Sequence, residues 1–283
     1  MSDPIALCLA GRISPEVALA RLLLAGTPPE AIAAQVAARH TDSAAWRRLE
    51  TLASRHESLA DLSALLREVD HDPSAAPPET ALAGIAALFD RAVTRAPEAS
   101  VAAYSLGDPE ILAAATAEII AWLNAERLLG RDRDVLDLGC GIGRVAVALA
   151  PLSRSVLGLD VSPGMVAEAR RRHASIPNLR FAVTPGTGLD LAAASLDLIL
   201  AVDSFPYLVQ AGGGLAERHM QDAARILRPG GALAILNLSY RDDPARDPAD
   251  AARWAGEGGW TLALAGTTPF TLWDGRAFLL RLT

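Results

Sequence analysis

The amino-acid sequence predicts an α/β fold: a doubly wound, mostly parallel sheet of seven strands with an antiparallel edge strand, plus an all-helical N-terminal extension. Two observations lead to this prediction. From residue 134 onward, short apolar runs alternate with segments of helical spacing, whereas apolar residues before about residue 70 recur only at helical spacing. Continuous apolar runs are typical of parallel strands that helices cover on both faces.

The N-terminal region is predicted to be a helical extension or small domain over residues 1–75. Ser14 followed by Pro15 is an N-cap with proline at the first helical position, and Gly26 ends that helix. Residues 70–79, DHDPSAAPPE, cluster proline with small and polar residues and are the predicted linker. We expect this extension to be a helical cap or a dimerisation unit, which makes a homodimer through these helices a prediction.

Residues 80–283 are predicted to form the second domain, with cap helices over 80–130 and the α/β core over 131–283. Residues 184–195 are expected to hold little or no helix. After residue 260 two further strands are predicted, with Asp274-Gly275 as the turn of a hairpin. Five apolar runs are suited to buried strands: VLDL (135–138), SVLGLD (155–160), LRFAV (179–183), LDLILAV (196–202) and ALAILNL (232–238).

Composition and charge narrow the class of protein. The 283 residues, 51% hydrophobic and 21% charged, suffice for a substantial core. The net charge of −7 argues against nucleic acid as a partner, because phosphate binding needs a basic face. No apolar run approaches the roughly 18 residues of a membrane span, and the N-terminus lacks the basic start of a signal peptide, so we expect a cytoplasmic protein. All 26 basic residues are Arg, which together with abundant Ala indicates a GC-rich, bacterial genome.

The most informative stretch is VLDLGCGIGRVAVALA, residues 135–150. A strand, a glycine-rich turn and a helix bring backbone amides and a helix N-terminus to a ligand at the carboxyl edge of a parallel sheet. The dinucleotide fingerprint requires Gly or Ala where this chain has Arg144; the loop is G-x-G-x-G instead, and Asp137 precedes it inside the strand. This departure lowers the expectation of a nicotinamide cofactor.

A second acidic residue, Asp160, ends the next strand about 20 residues after the glycine loop. A carboxylate at that position is placed to accept hydrogen bonds from ribose hydroxyls. The ligand is therefore predicted to contain a ribose, as part of a nucleoside.

At these residues the chain resembles the S-adenosylmethionine-dependent methyltransferases of the Rossmann-like, seven-stranded class. VLDLGCGIGR is similar to their first motif and GLDVSPGMVAEAR to their second. LDLILAVDSFPYL is similar to their fourth strand with its following loop, and ILRPGGALAIL to their turn and fifth strand. The resemblance covers about residues 100–283 and implies S-adenosylmethionine as cofactor, with S-adenosylhomocysteine as product.

The resemblance also implies roles for single residues. Gly139 and Gly141 would let the loop pass the methionine part of the cofactor, Asp137 would help hold its ammonium group, and Asp160 would bind the ribose. Thr187 stands where relatives often carry an acid, which puts a side-chain contact to the adenine amino group in doubt. The implied cofactor-binding set is Tyr104, Asp137, Gly139, Cys140, Gly141, Asp160, Val161, Met165, Gly186, Thr187, Gly188, Asp203 and Ser204.

Residues for the methyl acceptor are expected in the loops after the fourth and fifth strands. The candidates for substrate contact are Phe205, Tyr207, Tyr240 and Arg241; a solvated loop arginine is the alternative for Arg241. Tyr207 and His219 are the candidate catalytic residues, because a hydroxyl or amine nucleophile must lose a proton. The amphipathic helix around His219 favours a surface or packing role for that residue.

The sequence thus predicts transfer of a methyl group from S-adenosylmethionine to an O, N or C nucleophile of a small molecule. Such a transfer depends on binding, alignment and electrostatics, and no metal site is predicted. Two cysteines, Cys8 and Cys140, are too few for a disulfide framework or a zinc cluster. Two alternatives stay open: a nucleotide-dependent oxidoreductase of the NAD type, and a non-catalytic S-adenosylmethionine-binding or assembly protein.

Overall fold

The structure is a computed structural model that describes residues 3–55, 59–60, 62–63, 77–241, 243 and 245–283. These residues form two compact units. The described residues of the first unit lie within Met1–His71, Arg91–Glu118 and Phe270–Asp274, and those of the second within Asp72–Asp90, Ile119–Pro269 and Gly275–Thr283. Residues 91–118 and 270–274, which were predicted as part of the second domain, thus belong to the first unit. Of the predicted linker, residues 70–76 lie outside the described residues, and the boundary at 75–80 stays a prediction.

The N-terminal part of the chain is helical, as the sequence predicts. Ser14 accepts a hydrogen bond from the backbone N–H of Val17 at 3.1 Å and so caps the second helix, with Pro15 as its first residue. Apolar side chains such as Leu19 and Leu49 are fully buried. The helices before the sheet are α1 (Pro4–Leu9), α2 (Pro15–Leu24), α3 (Pro29–Ala37), α4 (Ala44–Ala53), α5 (Pro78–Arg95), α6 (Pro97–Val101) and α7 (Pro109–Ala125).

The second unit is built on a seven-stranded sheet of order β3-β2-β1-β4-β5-β7-β6. The first five strands are parallel, with Val135 of β1 opposite Val156 of β2 and Leu198 of β4. β7 is antiparallel to both β5 and β6, so the predicted sheet is confirmed and its antiparallel strand lies one place in from the edge. The strands are β1 (Gly130–Leu138), β2 (Ser153–Asp160), β3 (Leu179–Val183), β4 (Leu196–Val202), β5 (Leu227–Leu236), β6 (Trp260–Thr267) and β7 (Ala277–Leu282).

Helices connect the parallel strands, except between β3 and β4. Residues 184–195, all of them described, hold no helix, as predicted. The final hairpin is also present, but residues 268–276 link its strands in place of a tight turn at Asp274-Gly275. Asp274 is held by an ion pair with Arg21 at 2.6 Å. The connecting helices are α8 (Arg144–Leu149), α9 (Pro163–His173), α10 (Phe205–Ala211), α11 (Leu215–Ile226) and α12 (Arg246–Gly258).

The core of the second unit lies on the faces of the sheet. Leu136, Ile199 and Ile235, from three neighbouring strands, are fully buried among helix residues such as Met220. Because parallel strands end at the same edge, the loops after β1, β2, β4 and β5 converge there. Among the described residues, the helices are all too short or too polar to cross a membrane.

Candidate active site at the carboxyl edge of the sheet

The glycine loop between β1 and α8 is tied to the end of β2. Gly139, Gly141 and Gly143 all have positive φ angles, of 75°, 52° and 83°. The Gly139 N–H donates to the Leu159 carbonyl at 2.7 Å, and the Gly141 N–H donates to Oδ2 of Asp160 at 2.8 Å. These hydrogen bonds hold the glycine loop, which follows β1, against the carboxyl end of β2.

Gly139 is required because Ser204 lies against it. A Cβ at position 139 would stand 2.1 Å from the Cβ of Ser204. The Ser204 hydroxyl in turn donates to the Leu138 carbonyl at 2.5 Å. The structure therefore brings together two residues of the implied cofactor-binding set, Gly139 after β1 and Ser204 after β4. It leaves no room for a side chain at position 139.

The carboxylate of Asp160 is buried at the end of β2. It accepts the Gly141 N–H on one oxygen and the Ser162 N–H on the other, the latter at 2.9 Å. Burial raises the pKa of Asp160, and these backbone hydrogen bonds only partly oppose that effect. A fixed, buried acid facing the loop is what a ribose diol would require.

Asp137 is the least satisfied acid of the described residues at this edge. It is 2% exposed, and its Oδ2 atom has no hydrogen-bond partner. Burial raises the pKa of Asp137 to about 7, against the attraction of Arg144 and a hydrogen bond from the backbone of Ala146, while the charge of Asp160 raises it further. Unpaired buried oxygens are rare in native proteins, and a cationic donor such as a ligand ammonium group would satisfy this one.

Two residues of the implied cofactor-binding set, Val161 and Gly186, lie against each other. A Cβ on Gly186 would stand 2.8 Å from Cγ1 of Val161, so the two loops touch there. Met165 is only 1% exposed and lies beneath the surface, while Thr187 and Gly188 are half-buried.

Asp90 is a residue of this region that sequence reasoning missed. It lies in α5, and its Oδ1 atom accepts the Ser162 hydroxyl at 2.6 Å and the Gly164 N–H at 2.7 Å. Asp90 therefore fixes the turn that follows Asp160. An aspartate within an amphipathic helix carries no sequence signal for such a contact with a turn 72 residues away.

On the acceptor side, Asp203 follows β4 and Asn237 follows β5. Nδ2 of Asn237 donates to Oδ1 of Asp203 at 2.7 Å, and the hydroxyl of Tyr240 donates to the same oxygen at 3.1 Å. The Tyr207 ring packs edge-on against Tyr240, with ring centroids 5.8 Å apart. The structure thus brings together the predicted residues Asp203, Tyr207 and Tyr240. It adds Asn237, which was not predicted.

Other predicted residues of the second unit are engaged elsewhere. Phe205 is 1% exposed and packs on Trp254, with ring centroids 5.8 Å apart, which favours a core role over the predicted substrate contact. His219 is buried, Nδ1 lies 2.8 Å from the Leu215 carbonyl of its own helix, and burial lowers its pKa. These surroundings favour packing over the predicted catalysis.

The remaining two predictions concern Arg241 and Tyr104. Arg241 forms ion pairs with Asp247 at 2.7 Å and with Asp250 at 2.8 Å. Tyr104 belongs to the first unit, where it is buried and its ring stacks on Trp273 with centroids 5.6 Å apart. Its contact with a cofactor stays a prediction.

The described residues offer neither a reactive cysteine in the glycine loop nor a metal site. Burial holds the pKa of the Cys140 thiol well above its usual value, so it is not a reactive thiolate. Within the residues that the structure describes, His, Cys, Asp and Glu side chains form no group of three that could hold a metal ion.

Comparison with solved structures identifies the fold. The chain superposes on phosphoethanolamine N-methyltransferase 1 of Haemonchus contortus with a TM-score of 0.58 at 18% identity, covering 72% of this chain and 49% of that one. The shared architecture is the Rossmann-like methyltransferase fold.

Comparison of sequences finds a match to a family model over part of the chain. Residues 135–231, which hold the glycine loop, Asp160 and Asp203, match the family model described as a methyltransferase domain. This segment of the chain is therefore similar to methyltransferase domains.

The same part of the chain is similar to curated methyltransferases. A demethylmenaquinone methyltransferase of Tropheryma whipplei is 35% identical over 107 residues, 38% of this chain and 42% of the relative. The corresponding protein of Beutenbergia cavernae is 32% identical over 155 residues, 55% of this chain and 58% of the relative. An O-methyltransferase of Pyrenophora dematioidea is 32% identical over 124 residues, 42% and 44% of the two chains. The matches span about half the length of these relatives.

Proposed function

We propose that the protein transfers the methyl group of S-adenosylmethionine to a small molecule. The observation that carries this proposal is the pair of buried acids at the carboxyl edge, Asp137 with a free oxygen and Asp160 fixed by two backbone amides. The family match over residues 135–231 supports it, since all of these residues lie within the matched segment.

In this proposal each residue of the edge has a distinct task. Oδ2 of Asp137 accepts the ammonium group of the cofactor, and the carboxylate of Asp160 binds the ribose hydroxyls. Gly139 and Gly141 keep side chains away from the methionine part of the cofactor. The bound cofactor supplies an activated methyl group on a sulfonium, and the protein aligns the acceptor with it and excludes water.

The net charge of −7 and the names of the relatives, which are small-molecule methyltransferases, support a metabolite as the acceptor. The bacterial source and cytoplasmic location remain predictions from composition. A homodimer through the N-terminal helices also remains a prediction.

A thermal-shift experiment tests the choice of cofactor against the NAD-type alternative. S-adenosylhomocysteine at about 100 times its Kd is expected to add roughly 2.7 kcal/mol to the free energy of unfolding, which raises Tm by several degrees. NAD⁺ at the same concentration is expected to leave Tm unchanged. A shift with NAD⁺, or none with S-adenosylhomocysteine, would overturn the proposal.

A further inference from the structure

Asp90 of helix α5 holds the turn that follows Asp160. Its Oδ1 atom accepts the Ser162 hydroxyl at 2.6 Å and the Gly164 N–H at 2.7 Å. Ser162 is the N-cap of α9, and its hydroxyl oxygen accepts the Met165 N–H at 3.0 Å. A single carboxylate oxygen therefore fixes both the direction of the Ser162 hydroxyl and the start of α9.

The same turn donates to the carboxylate of Asp160. The Ser162 N–H donates to Oδ1 of Asp160 at 2.9 Å, and the Gly141 N–H donates to Oδ2 at 2.8 Å. A carboxylate offers about four lone-pair sites, so each oxygen can accept a ribose hydroxyl beside its backbone donor. The direction of these remaining sites depends on how Asp160 is oriented, and the turn that Asp90 holds supplies one of the two donors that orient it.

Helix α5 also contacts two other loops at this edge. Leu82 is buried, and its Cδ2 atom would stand 3.3 Å from a Cβ on Gly186, in the loop after β3. The ring of Phe89 packs edge-on against that of Tyr207, after β4, with centroids 5.3 Å apart. Because three residues of the helix contact three different loops, α5 holds the Asp90 carboxylate in a defined place.

Asp90 lies outside residues 135–231, the segment that matches the family model. We propose, building on the proposed function, that Asp90 is a positioning residue that orients Asp160 towards the ribose hydroxyls of the cofactor. Through this contact, α5 sets the preference of the protein for a ribose over a deoxyribose nucleoside. Asp90 acts through Asp160 and does not touch the ligand.

The hydrogen bonds of Asp90, rather than its charge, carry this role. Burial and the charge of Asp90 raise the pKa of Asp160, so a negative charge at position 90 opposes an ionised Asp160. Both hydrogen bonds end on the same oxygen, and the amide oxygen of an asparagine can accept both. Asp90→Asn therefore keeps the contacts and removes the charge, whereas Asp90→Glu keeps the charge and displaces the carboxylate by a methylene group.

Calorimetric titration with two ligands tests the proposal. The ligands are S-adenosylhomocysteine and its dideoxyribose analogue, which lacks both ribose hydroxyls. We expect the wild-type protein to bind the first about 100-fold more tightly, because two hydrogen bonds to a charged carboxylate are lost with the second. The ratio of the two Kd values is the measured quantity, since a variant that only loosens the fold weakens both ligands alike.

The variants of Asp90 are expected to differ in this ratio. Asp90→Ala and Asp90→Glu should lower it about 10-fold, within the range of coupling between residues of one hydrogen-bond network. Asp90→Asn should keep it within about threefold. Alanine is the best helix former, so α5 should persist in Asp90→Ala.

Asp134→Asn is the matched control. Asp134 also accepts a serine hydroxyl at 2.6 Å, that of Ser155, but at the amino edge of the sheet. Its variant should leave the ratio of the two Kd values unchanged. When Asp160 is already asparagine, adding Asp90→Ala should change the ratio less than about twofold, because the two residues act as one unit.

Three results would overturn the positioning role. They are an unchanged ratio in both Asp90→Ala and Asp90→Glu, equal losses in Asp90→Asn and Asp90→Glu, and equal Kd values of the wild-type protein for the two ligands. Failure of the wild-type protein to bind S-adenosylhomocysteine overturns the proposed function instead.

Discussion

Two aspartates of the same strand, Asp134 and Asp137, differ in how far the protein satisfies them. Near the amino edge of the sheet, Asp134 accepts hydrogen bonds from Nε of Arg154 at 2.9 Å and from Arg228 at 2.9 Å, and the bonds from Arg154 hold the pKa of its carboxyl well below its usual range. Three residues later, Asp137 is buried with an unpaired oxygen, and its pKa is raised to about 7.

The comparison indicates that acids at the amino edge of the sheet stabilise the fold, whereas acids at the carboxyl edge are available to bind a ligand. At the amino edge the protein supplies every partner of the acid, and the side chain joins strands β1, β2 and β5. At the carboxyl edge it leaves a polar atom without a partner, which costs free energy unless a ligand provides one. Structural and functional acids can therefore be told apart by their partners even when they share a strand.

The largest expected effect is at Asp160. Asp160→Asn is expected to weaken binding of S-adenosylhomocysteine more than about 100-fold, roughly 2.8 kcal/mol, because an amide NH₂ would face one of two backbone N–H donors. Asp197→Asn, at the amino edge, is the matched control and should leave the Kd unchanged. Calorimetric titration measures both, and equal effects would contradict the distinction between the edges.

A second comparison uses the glycines at the two ends of β1. Gly139→Ala is expected to lower the free energy of unfolding by about 2 kcal/mol or more, because the new Cβ meets Ser204 at 2.1 Å in a left-handed conformation. At Gly130 a Cβ would meet only side-chain atoms of the flexible Asp132 and Arg133, the nearest of them the end of Asp132. Denaturant unfolding should show a change within about 0.5 kcal/mol for Gly130→Ala; the reverse order would break the comparison.

The raised pKa of Asp137 predicts a pH dependence of stability. Between the usual carboxyl pKa near 4 and its folded value of about 7, the folded state keeps a proton that the unfolded state has lost. This contribution to the free energy of unfolding therefore falls as pH rises through that window, by at most about 1.4 kcal/mol per pH unit, and is constant above it. Asp137→Asn should remove this fall of the free energy of unfolding with pH. If the free energies of unfolding of wild type and variant change equally between pH 5 and 8, the raised pKa of Asp137 is refuted.

The smallest effect is expected at the amino edge. Asp134→Asn should lower the free energy of unfolding by about 1 kcal/mol, since it removes partly exposed ion pairs, and should leave binding of S-adenosylhomocysteine intact. Unfolding in denaturant and calorimetric titration of the same sample measure the two quantities. A loss of binding here would show that the two edges are coupled.

Much of the fold could be predicted from the sequence because its signals are local. The five parallel strands follow from apolar runs, and the N-cap at Ser14 follows from its neighbour Pro15. The role of Asp160 was predicted from its place at the end of a strand, because strand ends of a parallel sheet share an edge, and that of Asp137 from the family resemblance.

What the sequence could not predict depends on contacts between distant segments. The hydrogen bonds of Asp90 with Ser162 and of Asn237 with Asp203 join residues 72 and 34 positions apart. The ion pairs of Arg241 and the burial of Phe205 likewise depend on how α12 packs. Periodicity predicts which face of an element is buried, but it does not specify the partner of a polar side chain.

The crystal structure of the complex with S-adenosylhomocysteine tests the central claim most directly. We predict that the ribose hydroxyls lie within hydrogen-bond distance of Asp160 and that the amino group of the ligand lies against Oδ2 of Asp137. Density for the ligand away from the carboxyl edge, or Asp137 still without a partner in the complex, would contradict the account.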